Sequence, residues 1–380
     1  MLAVVMLINR TGSMVIPFLG VYMTQKLHFS IEESGFVLSF FGIGSVIGSW
    51  IGGKLTDTVG EYAVQSFSLF LSVPLYLLIP VFTTQWGLAG LIFFQSIITG
   101  AFQPANSVAI TRYAKPQNMT RAFSLNRMAL NLGFSIGPAL GGILSAISYN
   151  FLFIINSFAP LLAGITFVWF FRKRKARNEI IKNNARSATR SPYKDSYFLI
   201  FCFICFLFSV FFFQFFNTLP LFYKEELHLS QAKIGYLLGL GGAIIVLLEM
   251  YFVQIVEKKW STAFTLFFGI FLCGLSYLML LFCSSFWWLC LSITILSIGE
   301  IWVLPFMATV TAKRSDSENK GAYMGLLGIS FSLSFIITPY AGSLVAQEYG
   351  FSALWLSTGL ILIGIGILMF YLIRQIIKDR

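Results

Sequence analysis

Charge is scarce in this chain. Asp, Glu, Lys and Arg supply 11% of its 380 residues and the apolar set AVILMFWYC supplies 57%. A soluble domain carries about 25% charge, so a water-soluble globular enzyme is excluded. Histidine is nearly absent: the two present, His28 and His228, leave little material for a His-based metal site or catalytic set. Neither an HExxH pair nor a G-x-x-x-x-G-K-[ST] loop occurs, which argues against an intramembrane metalloenzyme and a self-contained ATP-driven pump. The five cysteines, Cys202, Cys205, Cys273, Cys283 and Cys290, all fall inside apolar runs and imply no disulfide framework. Cys202-Phe-Ile-Cys205 has CxxC spacing but lacks the polar, wet surround of a redox or zinc site.

What the chain has instead is long apolar runs. They lie near 3–24, 34–53, 63–83, 88–110, 124–146, 150–171, 197–220, 234–256, 262–282, 286–310, 321–345 and 352–373. Most reach the roughly 20 residues that a helix needs to cross the hydrocarbon, and lipid leaves few alternatives to helix. The expected fold is an all-α membrane protein of twelve transmembrane helices. The first run has no basic leader and no small-residue cleavage site before Thr24-Gln25-Lys26, so it is read as a helix rather than a signal peptide.

The net charge of +11 sorts by position. With the amino terminus inside, 22 of the 26 Lys and Arg residues fall on inner loops or helix edges, from Lys54 and Arg112 through the run Arg172 to Lys194 to Arg374, Lys378 and Arg380. Lys26, Lys224 and Lys233 fall outside, and Arg10 lies within a run. This positive-inside bias predicts a multi-pass protein of a bacterial cytoplasmic membrane with both termini in the cytoplasm. The basic surplus is topological, so no nucleic-acid partner is expected, and a monomer in the lipid bilayer is.

The chain also repeats itself. Leu27-His28-Phe29-Ser30 recurs as Leu227-His228-Leu229-Ser230, and the same displacement of 200 matches Gly35 with Gly235, Gly42 with Gly242 and Asp57 with Glu257. Pro138 and Gly141 meet Pro339 and Gly342 at a displacement of 201. The reading is an amino-terminal six-helix bundle over 1–171, a basic cytoplasmic linker over 172–196 and a carboxy-terminal six-helix bundle over 197–380. Parallel repeats of this kind move a solute by rocking about a midplane site, which argues transport.

Three stretches resemble the major facilitator superfamily, specifically its bacterial drug:proton antiporter branch. Gly53-Lys-Leu55-Thr-Asp57-Thr-Val-Gly60, after the second run, is similar to the superfamily's G-x-L-x-D-R-x-G-R loop. The resemblance implies that Asp57 caps a helix of the other half, with Gly53 and Gly60 forming the gating loop. Thr58, Glu61 and Tyr62 stand where the family has basic residues, so the latch must rest on Asp57 and a helix dipole. Gly133-Phe-Ser-Ile-Gly137-Pro138-Ala-Leu-Gly141-Gly142 is similar to the G-x-x-x-G-P-x-x-G-G antiporter signature, whose glycines admit another backbone and whose proline bends the helix. Gly299-Glu300 with Pro305 resembles a pattern of the same branch, whereas the fourth run lacks the superfamily's arginine.

Ionisable groups deep in the runs are the default functional candidates, because a charge at the bilayer centre costs at least about 2.5–3.5 kcal/mol. Glu249, Glu300 and Arg10 meet that condition. A carboxylic acid held in low dielectric can exchange protons at physiological pH, so Glu300 and Glu249 are the candidate proton carriers. Arg10, with Asn9 beside it, is the candidate to pair with one of them or to bind an anionic group. Gln95, Asn126, Arg127, Asn131, Gln214 and Asn217 are possible cavity-lining residues. The expected activity is proton-coupled efflux of lipophilic or amphipathic small molecules, with no enzymatic step, catalytic residue, metal or cofactor and the proton gradient as energy source. The alternative is proton-coupled import of a small nutrient such as a peptide, sugar or organic anion.

Overall fold

A computed structural model describes all residues except 13–18, 21, 24, 25, 183–190, 217, 283, 284, 317, 379 and 380. The side chains of 31, 32, 134, 135, 138, 139, 142, 143, 145–147, 173–182, 231 and 232 also lie outside the description. Among the described residues every regular element is helical. They are α1 (Leu2–Thr11), α2 (Ile31–Val59), α3 (Glu61–Leu78), α4 (Gln85–Tyr113), α5 (Met119–Ile147) and α6 (Tyr149–Lys182). Then come α7 (Ser196–Phe212), α8 (Thr218–Glu225), α9 (Gln231–Lys259), α10 (Thr262–Leu278), α11 (Phe286–Arg314) and α12 (Lys320–Lys378).

Nine helical stretches among the described residues are long and apolar enough to cross a membrane. The last of these, α12, is two helices joined at Gly350, whose φ of 82° suits a residue without a Cβ. Phe67, Leu162, Trp169, Leu247, Trp287 and Leu368 each stand more than half exposed. Apolar rings and chains on so much of the surface call for lipid around it.

The sequence repeat reappears as repeated local geometry. The Tyr22 carbonyl accepts from the Lys26 and Leu27 amides and Met23 from Phe29, while Phe222 accepts from Glu226 and Leu227 and Tyr223 from Leu229. Each turn is closed by a histidine in the left-handed region, His28 at φ 57° and His228 at φ 49°. The next helix then starts on a serine cap, Ser30 accepting from the Glu33 amide and Ser230 from the Lys233 amide. Both histidines therefore serve the chain reversal.

The chain divides into two compact units. Unit 1 comprises Met1–Pro116, Leu125–Pro192 and Ser315–Ile329; unit 2 comprises Gln117–Ser124, Tyr193–Arg314 and Ser330–Arg380. In unit 1, glycines every fourth residue on α2 let it lie backbone to backbone on α4. A Cβ on Gly44 would stand 2.5 Å from the Phe93 carbonyl oxygen, one on Gly48 2.9 Å from Ile97 Cα, and one on Gly52 2.7 Å from Ala101 Cβ. In unit 2 the core centres on Trp355, fully buried and stacked on Tyr277 at 5.6 Å between ring centroids.

Candidate functional site

The glycine-rich segment expected as a loop is helical to Val59, and the chain breaks only at Gly60, with φ of 89°. Asp57 thus projects from the last turns of α2. Its carboxylate accepts the Gly321 amide at 2.6 Å and the Ala322 amide at 2.7 Å. These are orphan donors in the first turn of α12, where the helix dipole favours an anion. Glycine makes the approach possible: a Cβ on Gly53 would lie 2.6 Å from the Gly321 oxygen, and one on Gly325 2.7 Å from the Ser49 oxygen. Glu61, at a position where the family pattern is basic, is buried and ion-paired with Arg112.

Unit 2 has its own ion pairs. Arg121 Nε reaches Glu257 Oε2 at 3.2 Å. Arg314 holds Asp195 bidentately, at 2.8 and 3.0 Å, with both side chains almost fully buried. Arg112, Arg121 and Arg314, read from the sequence as topological charges, are thus held in ion pairs.

Inside unit 1, Arg10 packs against the antiporter-like motif: a Cβ on Gly133 would lie 2.6 Å from Arg10 Cβ. Gly137 and Gly141 are buried on the same helix, while Pro138 and Gly142 fall outside the described side chains. The Tyr76 hydroxyl sits in the field of the Arg10 guanidinium and faces the side chains of Gln95 and Asn156. One hydroxyl cannot saturate two buried amides, so this cluster keeps unused hydrogen-bonding capacity. Beside it lies a cavity of about 20 Å³, lined by Asn9, Gly12, Ser68, Ser72, Tyr76 and Thr99 among others, room for one water. Asn126, Arg127 and Asn131 are half-buried on α5, and none of them lines it.

In unit 2, Glu249 is fully buried on α9 and Glu300 half-buried on α11. The two helices pack together where Gly241 meets α11, a Cβ there standing 3.2 Å from Ser297 Oγ. Tyr277 lies within the field of Glu300 and donates its hydroxyl to the Phe212 carbonyl at 2.7 Å. That carbonyl ends α7, which gives way to a 3-10 turn over Phe213–Phe215 before α8 begins. The seventh apolar run is thus a broken helix, the kind of element around which transporters build sites. Gln214, buried in the break, accepts the Thr218 hydroxyl, and Gly342 of α12 leaves room for both. Asn217 lies outside the described residues. Phe213 stacks on Phe335 at 4.3 Å and belongs to the packing of unit 2.

Sequence reading missed Tyr76, Asn156 and Tyr277. The available signal for the tyrosines was the repeat itself, since Tyr76 and Tyr277 stand 201 apart. Cys202, Cys205 and Cys273 are buried in apolar helices, and Cys283 lies outside the described residues. Among the described residues no group of three His, Cys, Asp or Glu side chains could hold a metal.

Comparison with known proteins agrees with this architecture. The sequence profile of the Major Facilitator Superfamily matches residues 2–284 and 250–379. The chain is 27% identical over 381 residues to the uncharacterized MFS-type transporter YttB of Bacillus subtilis, covering 97% of this chain and 94% of that one. It is 24% identical over 330 residues to the class H tetracycline resistance protein of Pasteurella multocida, covering 84% and 80%. The crystal structure of the human organic anion transporter MFSD10 superposes with a TM-score of 0.74 over 98% of this chain and 97% of that one, at 15% identity, a likeness of fold alone. Profile, relatives and fold converge on one class, and the chain belongs to the major facilitator superfamily: a multi-pass membrane transporter of small molecules rather than an enzyme.

Proposed function

We propose that the chain exports lipophilic or amphipathic small molecules in exchange for protons, with Glu300 and Glu249 as the proton carriers. The observation that carries this reading is the pair of carboxyl groups set in apolar helices of unit 2, Glu249 fully buried and Glu300 half-buried. Carrying such a carboxylate charged through the hydrocarbon costs at least about 2.5–3.5 kcal/mol, so a proton taken up on one side lowers the barrier to the return of the empty carrier. Substrate binding then releases it. The Asp57 clasp on the first turn of α12 suits a latch that forms and breaks as access alternates. Similarity to a tetracycline resistance protein supports the outward direction.

The cycle is assigned to a monomer in the bacterial cytoplasmic membrane, with both termini in the cytoplasm and two six-helix bundles flanking the basic 172–196 segment. Arg10 favours a second reading, import of an organic anion. Its guanidinium faces Tyr76 beside the unsaturated amides of Gln95 and Asn156, a set suited to a carboxylate. Inside-out vesicles loaded with a pH-sensitive dye separate the two. Lipophilic cations and neutral dyes are expected to drive protons out of an acidified lumen as they enter it. Proton movement with organic anions alone would replace efflux by the second reading.

A further inference from the structure

A groove of about 600 Å³ opens where the start of α10 meets the end of α12, lined by Ser261, Ala263, Phe264, Phe370, Ile377 and the two cations Arg374 and Lys378. All belong to unit 2. The floor is apolar and accessible: Phe264 is 38% and Ile377 58% exposed. The rim is cationic. Arg374 and Lys378 stand one helical turn apart on the same face, and the Arg374 guanidinium is fixed 5.4 Å over the Phe370 ring. No acidic side chain pairs with either cation among the described residues. On the opposite wall, Ser261 caps α10 by accepting the Phe264 amide, and the positive end of that helix faces the groove.

We propose that this groove is a binding site for an anionic diacyl phospholipid. Its phosphate would lie between Arg374, Lys378 and the first turn of α10, and its upper acyl chain against Phe264, Phe370 and Ile377. The occupant must be amphipathic, because among the described residues the charge at the rim of the groove is positive and the surface below is hydrocarbon and aromatic. Trp260, 5.1 Å from the Phe264 ring, sets the depth, since tryptophan favours the headgroup level. Lys258 and Lys259 at the end of α9 share this end of the molecule, which the positive-inside bias assigns to the inner leaflet, where anionic lipid attracts basic clusters. The site does not depend on what is transported.

The test uses the purified full-length protein, with lipid retention read by native mass spectrometry and thermal unfolding read in parallel. Phosphatidylglycerol is expected to be retained at least about fivefold over phosphatidylcholine and to raise the unfolding temperature, with inorganic phosphate doing neither. The Arg374→Ala/Lys378→Ala double variant should unfold normally without lipid and lose the preference. Arg374→Lys/Lys378→Arg should keep it, as should the control Lys115→Ala, an exposed cation elsewhere. Equal retention of both lipids, an equal loss in Lys115→Ala, or displacement of phosphatidylglycerol by millimolar inorganic phosphate would each overturn the proposal.

Discussion

The two repeats share their turns but not their interiors. Positions 28 and 228 both hold a left-handed histidine, and 30 and 230 both hold a capping serine. Yet Gly44, Gly48 and Gly52 of α2 correspond to Ile244, Leu248 and Phe252 of α9. Unit 1 therefore joins α2 to α4 backbone to backbone. In unit 2 a tight contact of this kind joins α10 and α11, where a Cβ on Gly299 would lie 2.7 Å from the Gly269 oxygen. Charge has divided as well. Arg10 stands against Val210 at the same displacement, while Glu249 stands against Ser49 and Glu300, at 201, against the cavity-lining Thr99. Reversing the chain constrains both turns alike, whereas the mid-helix charges have diverged, Arg10 in one repeat and Glu249 with Glu300 in the other.

Copying one interior into the other should give the largest effect. Gly48→Leu places a side chain against the backbone of Ile97 and is expected to cost more than about 3 kcal/mol, abolishing the monodisperse peak in size-exclusion chromatography. The reverse change, Leu248→Gly, removes a half-buried side chain and weakens the helix, about 1–3 kcal/mol on thermal unfolding with folded protein still recovered. Equal behaviour of the two variants would break the comparison.

A smaller contrast separates the two helix-end anions. Asp57→Asn weakens two charge-assisted bonds to amides, about 1–2 kcal/mol, whereas Glu257→Gln loses one half-exposed ion pair, under about 1 kcal/mol. Unfolding temperatures should rank the variants in that order, and the reverse ranking would assign the stronger clasp to unit 2. The smallest effect belongs to the turns. His28→Gly and His228→Gly each relieve a left-handed residue and should change stability by no more than about 1 kcal/mol, alike at both positions.

Nine spans among the described residues, the recurring turn and the contact of Asp57 with a helix start were legible because each leaves a local mark: an apolar run, a recurring LHxS turn, a G-x-L-x-D string. The ion pairs Glu61 with Arg112 and Asp195 with Arg314 were not, because their partners lie 51 and 119 residues apart and nothing local links them. The stripe Gly44, Gly48, Gly52 was readable from its four-residue spacing and went unread beside the longer motif at Gly133. Tyr76 and Tyr277 looked like ordinary aromatics among 15 tyrosines. Only the fold sets one beside Arg10 and the other at the break in the seventh run.

The division of charge between the repeats has its sharpest test in Glu300→Gln and Glu249→Gln, assayed in inside-out vesicles with and without an imposed pH gradient. The account predicts that at least one variant still equilibrates substrate down its own gradient but loses accumulation driven by the pH gradient by about tenfold or more. Accumulation that keeps its normal proton dependence in both variants would contradict it.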